Sequence, residues 1–209
     1  MKKALLLVIV LALALGITYL VLHKGNSTNS NPGEKDQPLA ISSKTSAFNR
    51  SFAEVLNSYF LLTDVLAKED SSGISVAGTR LNKAIDSIRF DQFKADTSVV
   101  QTAISLAQAI PGEIEGMKGE KTLDLKKREF NMISADLYSL IRVVRYDGSI
   151  IYHMSCATAF SDSTAGDWLS ASNTIVNPYK GKKDQANGIK TEECGELKDS
   201  LHFSVPVSE

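Results

Sequence analysis

The sequence predicts a mainly α fold: a four-helix bundle with a small irregular or β-containing C-terminal cap. Two observations carry that prediction. Between residues 47 and 147 the apolar residues recur at three- and four-residue steps in four separate runs joined by short links. After residue 147 this periodicity stops, and a β-branched, aromatic segment leads into a tail of roughly sixty residues rich in turn formers. A helix with one apolar stripe is not stable alone, and short links favour antiparallel neighbours, so four such helices pack as a bundle.

The chain opens with a different element. Lys2 and Lys3 precede an uncharged run from Ala4 to Leu22. At 1.5 Å per residue this run is just long enough to cross a hydrocarbon core of roughly 30 Å. Residues 1–24 therefore read as a signal sequence or an N-terminal membrane anchor, with Lys2 and Lys3 on the inner side. Either reading exports the rest of the chain to the periplasm or another extracytoplasmic space, held at the inner membrane or released after cleavage. Residues 25–46 are rich in Asn, Ser, Gly, Pro and charge. They bury little apolar area and read as a flexible tether.

The domain proper is expected over residues 47–209, with the bundle at 47–147 and the cap at 148–209. Phe48, Phe52, Val55, Leu56, Tyr59, Leu62, Val65 and Leu66 form the first stripe, ended by "KEDSSG". Ile74, Ala77, Leu81, Ala84, Ile85 and Ile88 form the second, with "RFDQF" as its exit. Val99, Val100, Ala103, Ile104, Ala107 and Ile110 form the third. Pro111-Gly112 is expected to stop it, because proline lacks the N–H and glycine favours the turn, leaving "GEIEGMKGEKT" as a loop. The fourth stripe runs from Leu123 through Phe130, Ile133, Leu137, Leu140 and Ile141 to Val144. Asp124 in its first turn and Arg142 and Arg145 in its last complement the helix dipole.

In the cap, "SIIYHMSCATAF" reads as a strand. On a strand His153 and Ser155 share one face, and Met154 and Cys156 share the other. Beyond it, turn residues recur, and the large aromatics Trp168 and Tyr179 are the expected pins of a loop-rich segment to the bundle end. Asn177-Pro178 imposes an extended or turn geometry there.

The chemistry available is limited. The charges balance, 23 Lys and Arg against 24 Asp and Glu, so no basic stripe for nucleic acid is present. No GxSxG, HExxH, CxxC or phosphate-cradling glycine loop occurs, and the sequence points to no enzyme. Thiolate, thioether and imidazole ligands suit Cu(I), Ag(I) and Zn(II), so Cys156, Cys194, His153 and Met154 form a candidate metal site. Cys156 and Cys194 also form a candidate disulfide. Closing the 38-residue separation would stabilise the fold by roughly 3–4 kcal/mol in the chain-entropy model. The residues by themselves leave the two readings open.

"DWLSASNTIVNPY", "CG" at Cys194-Gly195, "FNMISADLYSLI" and "LNSYFLLTDVLAKED" occur in an order that resembles an exported bacterial domain of unknown function. That domain occurs alone behind a signal sequence and appended to adaptors of copper/silver efflux pumps. The resemblance covers roughly residues 48–203, and Trp168, Asn177, Pro178, Tyr179 and Gly195 belong to its structural motif. It implies a helical domain with a heavy-metal role and a sulfur cluster of the forms Cys-Pro-Met-Ala and Met-x-x-Cys-Gly. Here Thr158 and Thr191 stand where the two methionines are usual, so both cysteines are kept and both thioethers are absent. The leading expectation is a membrane-tethered, non-enzymatic heavy-metal (copper-type) binding or resistance accessory, with metal-efflux or other envelope proteins as partners and no nucleic acid. The alternative is a structural or partner-binding domain without the metal site, with a Cys156–Cys194 disulfide.

Overall fold

The computed structural model describes residues 43–180 and 194–203. The expected signal or anchor at 1–24 and residues 25–42 of the expected tether lie outside the described residues, as do Thr191 and the loop that precedes it. No helix among the described residues is long and apolar enough to cross a membrane.

Four helices follow one another: α1 (Ser46–Ala67), α2 (Ser71–Asp86), α3 (Thr97–Gly119) and α4 (Leu123–Val144). Most of each expected stripe is buried; in α3 Ala103, Ala107 and Ile110 are buried while Val99, Val100 and Ile104 are only partly so. Phe48, Phe52, Val55, Leu56, Tyr59, Leu62 and Leu66 of α1 are almost fully buried, as are Ile74, Ala77, Leu81, Ala84 and Ile85 of α2. The starts of α1, α2 and α4 are fixed by side chains that take free N–H groups of the first turn, whereas Asp96 ahead of α3 makes no such bond. Thr45 accepts from Phe48 N–H, Asp70 from Ser72 and Gly73 N–H, and Thr122 from Leu125 N–H. These bonds hold the Asp70 carboxyl below the usual carboxylate range, the Ser72 hydroxyl contributing most.

Two local features differ from the sequence reading. Pro111 does not stop the third helix; α3 continues to Gly119 with Pro111 inside it. Ile114 and Met117 extend the stripe of Ala103, Ala107 and Ile110, and both are fully buried. Burying two such side chains is worth roughly 3–6 kcal/mol, against about 3 kcal/mol for an internal proline. At the end of α3 the Lys126 ammonium donates to the carbonyls of Met117 (2.8 Å) and Lys118 (3.2 Å), which suits the negative helix terminus. Second, the last residues assigned to the tether are ordered. Ser43–Lys44 is a strand, β1, paired antiparallel with β2 (Phe93–Lys94). The Lys44 ammonium donates to the Arg145 carbonyl (2.6 Å) and pairs with Asp147 (3.2 Å), fixing the domain entrance to the exit of α4.

The cap contains a three-stranded antiparallel sheet in the order β4-β3-β5, with β3 at Ile151–Cys156, β4 at Gly166–Ser170 and β5 at Glu196–Leu201. Met154 lies opposite Trp168, Cys156 opposite Gly166 and His153 opposite Leu169. β5 carries an irregularity between its pairings with His153 and Met154.

Candidate functional site

The predicted site residues gather around β3. Cys156 and Cys194 form a disulfide, with their Cα atoms 5.1 Å apart. Cys156 is only 1% exposed, and the Thr158 hydroxyl oxygen lies 3.2 Å from Cys194 Sγ. Both sulfurs are therefore committed to each other. Strand alternation separates the remaining candidates as the sequence predicts. Met154 is fully buried on the Cys156 face, across from Trp168. His153 points the other way, its ring 4.4 Å from that of Tyr138 on α4. Its Nε2 lies 3.8 Å from Asp167 Oδ2, and this imidazole holds the Asp167 carboxyl below the usual range, with Ser155 adding to the effect. The structure thus brings Cys156 and Cys194 together, sets Met154 on the same face and leaves His153 on the opposite one. Among the described residues, no group of three or more His, Cys, Asp or Glu side chains is placed to hold a metal ion.

The motif residues of the cap have definite tasks. Asn177 closes a turn by accepting from the N–H groups of Tyr179 (2.8 Å) and Lys180 (3.3 Å), the local bonding that suits asparagine to turns. Its amide also donates to the Cys194 carbonyl, so the turn holds the disulfide segment directly. Pro178 sits inside that turn with its φ already fixed. The Tyr179 ring lies between those of Phe130 (6.0 Å), Phe160 (5.3 Å) and Trp168 (6.0 Å). Gly195 allows close approach: a Cβ there would meet Ile175 Cγ2 at 2.5 Å.

The outer edge of β4 is closed by the bundle and the turn. Asp167 N–H donates to Asn131 Oδ1 (2.7 Å), and the Tyr179 hydroxyl donates to the Asp167 carbonyl. Leu169 N–H donates to the Tyr59 hydroxyl (3.1 Å). The Ser134 hydroxyl donates to the Phe130 carbonyl (2.8 Å), so it receives its 2.7 Å bond from Tyr59. A directed chain of bonds thus runs from β4 through α1 into α4. Burial pushes the Tyr59 and Tyr179 phenols well up, so both stay protonated donors. A buried lysine completes the attachment. The Lys127 ammonium donates to the Tyr179 carbonyl (2.8 Å) and pairs with Glu69 at 3.4 Å. Glu69 holds a left-handed φ of 56°, a conformation that costs a non-glycine residue strain.

Tyr59, Asn131, Lys127 and Ser134 were not singled out as site residues from sequence. The available signal was Lys127, a charge set on the apolar stripe between Leu123 and Phe130.

Residues 55–147 match the model of DUF3347, a family described as a protein of unknown function. The matched stretch runs from the third turn of α1 to the exit of α4 and leaves the cap outside it. It agrees with the resemblance in pointing to a domain whose function is unknown. No curated protein and no solved structure matches the chain.

Proposed function

We propose that the chain is an exported, non-enzymatic partner-binding domain, tethered to the membrane by its N-terminal run, with a cap locked by a disulfide in place of a metal. The observation that carries this reading is the Cys156–Cys194 bond. Disulfides persist in oxidising compartments, which fits an extracytoplasmic location. The segment that the bond pins is also held by Asn177, Trp168 and Tyr179, so the cap is a fixed surface built on the bundle. Its partners are envelope proteins.

A second reading, heavy-metal binding with Cu(I), Ag(I) or Zn(II), has one observation in its favour. Reduction would release two thiols, and Cys156 shares a sheet face with Met154. The reduced form would therefore present soft ligands in one neighbourhood.

One experiment separates the two. The full chain is recovered from the cell envelope, alkylated without reductant, and its intact mass is measured. A cross-linked chain that takes up no alkylating agent supports the disulfide reading; two alkylated thiols overturn it. The reduced chain is then titrated against a chromophoric Cu(I) chelator. Withdrawal of Cu(I) from the chelator supports the metal reading, and no competition at micromolar chelator sinks it.

A further inference from the structure

Cys156 and Cys194 share one bond but not one environment. Cys156 ends β3, the middle strand of the sheet, and is 1% exposed. Across from it stands Gly166, packed so closely that a Cβ there would fall 2.6 Å from the Ala159 methyl carbon and 2.7 Å from the Tyr179 ring. Cys194 instead precedes β5, an edge strand whose residues Glu196 to Ser200 are all exposed. Cys194 is only partly buried, and its sulfur lies 3.2 Å from the hydroxyl of the exposed Thr158. A thiolate opens a disulfide by attacking in line with the S–S bond, from the far side of the sulfur it takes, so access decides which sulfur is attacked. Behind Cys156 lie its own strand and the packed cap. Behind Cys194 lies the edge of the sheet.

From this asymmetry we infer that Cys194 is a modification site of the cap: a small monothiol exchanges with the disulfide at this sulfur and not at Cys156. The incoming thiolate bonds to Cys194 Sγ, the electron pair of the S–S bond leaves on Cys156 Sγ, and Cys156 takes up a proton. One S–S bond breaks and one forms, so the step consumes no oxidant or reductant. The modified Cys194 stays in place, because the Asn177 amide holds its carbonyl and Gly195 packs against Ile175 and Trp168. The Cys156 thiolate can therefore return to Cys194 Sγ and expel the small thiol, which makes the modification reversible. The site exists only where the Cys156–Cys194 bond does, and so rests on the disulfide proposed for the cap.

The oxidised full chain is treated briefly with glutathione, in native buffer and in concentrated urea. Free thiols are then blocked with N-ethylmaleimide, and both cysteines are mapped by mass. Intact mass beforehand reads the disulfide; two free thiols at that stage overturn the disulfide and the site together. In native buffer, glutathione on Cys194 with maleimide on Cys156 is expected in about ten-fold excess or more over the reverse arrangement. In urea, where both sulfurs meet solvent, the two arrangements should agree within about three-fold. In the opposite direction, Cys156→Ser should accumulate an adduct from glutathione disulfide at Cys194, and Cys194→Ser should react at Cys156 about ten-fold more slowly. Equal amounts of the two arrangements in native buffer, an excess on Cys156, equal rates in the two variants, or no adduct in native buffer where urea yields both, overturns Cys194 as the site and leaves the disulfide standing.

Discussion

Removing one oxygen at Tyr59 tests how the sheet is attached to the bundle. In Tyr59→Phe the ring stays, and with it the stack on Phe130 at 5.3 Å, so no cavity larger than an oxygen opens. What is lost is polar. Leu169 N–H loses its acceptor at a residue only 1% exposed, and an orphaned buried donor costs about 1–3 kcal/mol. Ser134 keeps its bond to the Phe130 carbonyl and loses only an incoming proton, which adds at most about 1 kcal/mol. The expected loss is about 2–3 kcal/mol, or a melting temperature lower by roughly 5–10 °C for a domain of this size. Urea unfolding followed by the fluorescence of Trp168, the only tryptophan and the neighbour of Leu169, measures it directly. Ser134→Ala leaves the Tyr59 proton unplaced and should cost about 1 kcal/mol. The double variant should cost less than the sum, because both single changes break the same Tyr59–Ser134 bond. A loss below about 0.5 kcal/mol in Tyr59→Phe, or strict additivity in the double variant, would refute the directed chain from β4 to α4.

Three further outcomes follow from the same structure. Cys156→Ala/Cys194→Ala should lower stability by roughly 3–4 kcal/mol, read as a fall in urea midpoint that matches the fall produced by reducing the parent chain. Gly195→Ala should cost about 1–3 kcal/mol in thermal unfolding, because its Cβ would fall 2.5 Å from Ile175 Cγ2 and 3.4 Å from the Trp168 ring. Burial, with Asp136 and Glu129 nearby, pushes the Glu113 carboxyl up from 4.5 to about 7. The folded state therefore binds this proton more tightly, and the stability it contributes is complete below pH 4.5 and lost as pH rises through about 7. Glu113→Gln should remove that decline, so its urea midpoint should exceed the parent's at pH 8 and approach it near pH 4; equal midpoints at pH 8 would count against the assignment.

The helices were legible in the sequence because burial repeats every three to four residues and each stripe has one solution, the bundle interior. Pro111 was misread because a local rule was set against a tertiary gain. Proline and glycine end helices in isolation, yet the spacing from Ile110 to Ile114 and Met117 continued the stripe, and both side chains are buried. The ribbon of β1 and β2 is two residues per strand, too short to carry any period. Alternation on β3 separated His153 from Met154 and Cys156 correctly, but spacing alone cannot distinguish a metal from a disulfide, since either one requires the two cysteines to converge. Tyr59 and Ser134 were hidden in plain stripes. Their hydroxyls serve a strand whose Leu169 lies 110 residues from Tyr59, and nothing local announces such a partner.

Lys127 is the instructive case, because its position did carry a signal. A bundle with no cap would leave this ammonium either in solvent or in its own core. A lysine on an apolar stripe, between Leu123 and Phe130, therefore implies that something with acceptors closes over that end of the helix. The structure supplies the Tyr179 carbonyl of the Asn-Pro-Tyr turn and the carboxylate of Glu69 among them. Glu69 occupies a left-handed position that glycine would fill without strain, and glycine would remove the carboxylate that pairs with this ammonium. Charge on the stripe, strain at the α1–α2 turn and the turn motif of the cap are thus one requirement. The bundle is built to carry the cap, and a cap held this firmly by buried polar groups is suited to serve as a rigid surface.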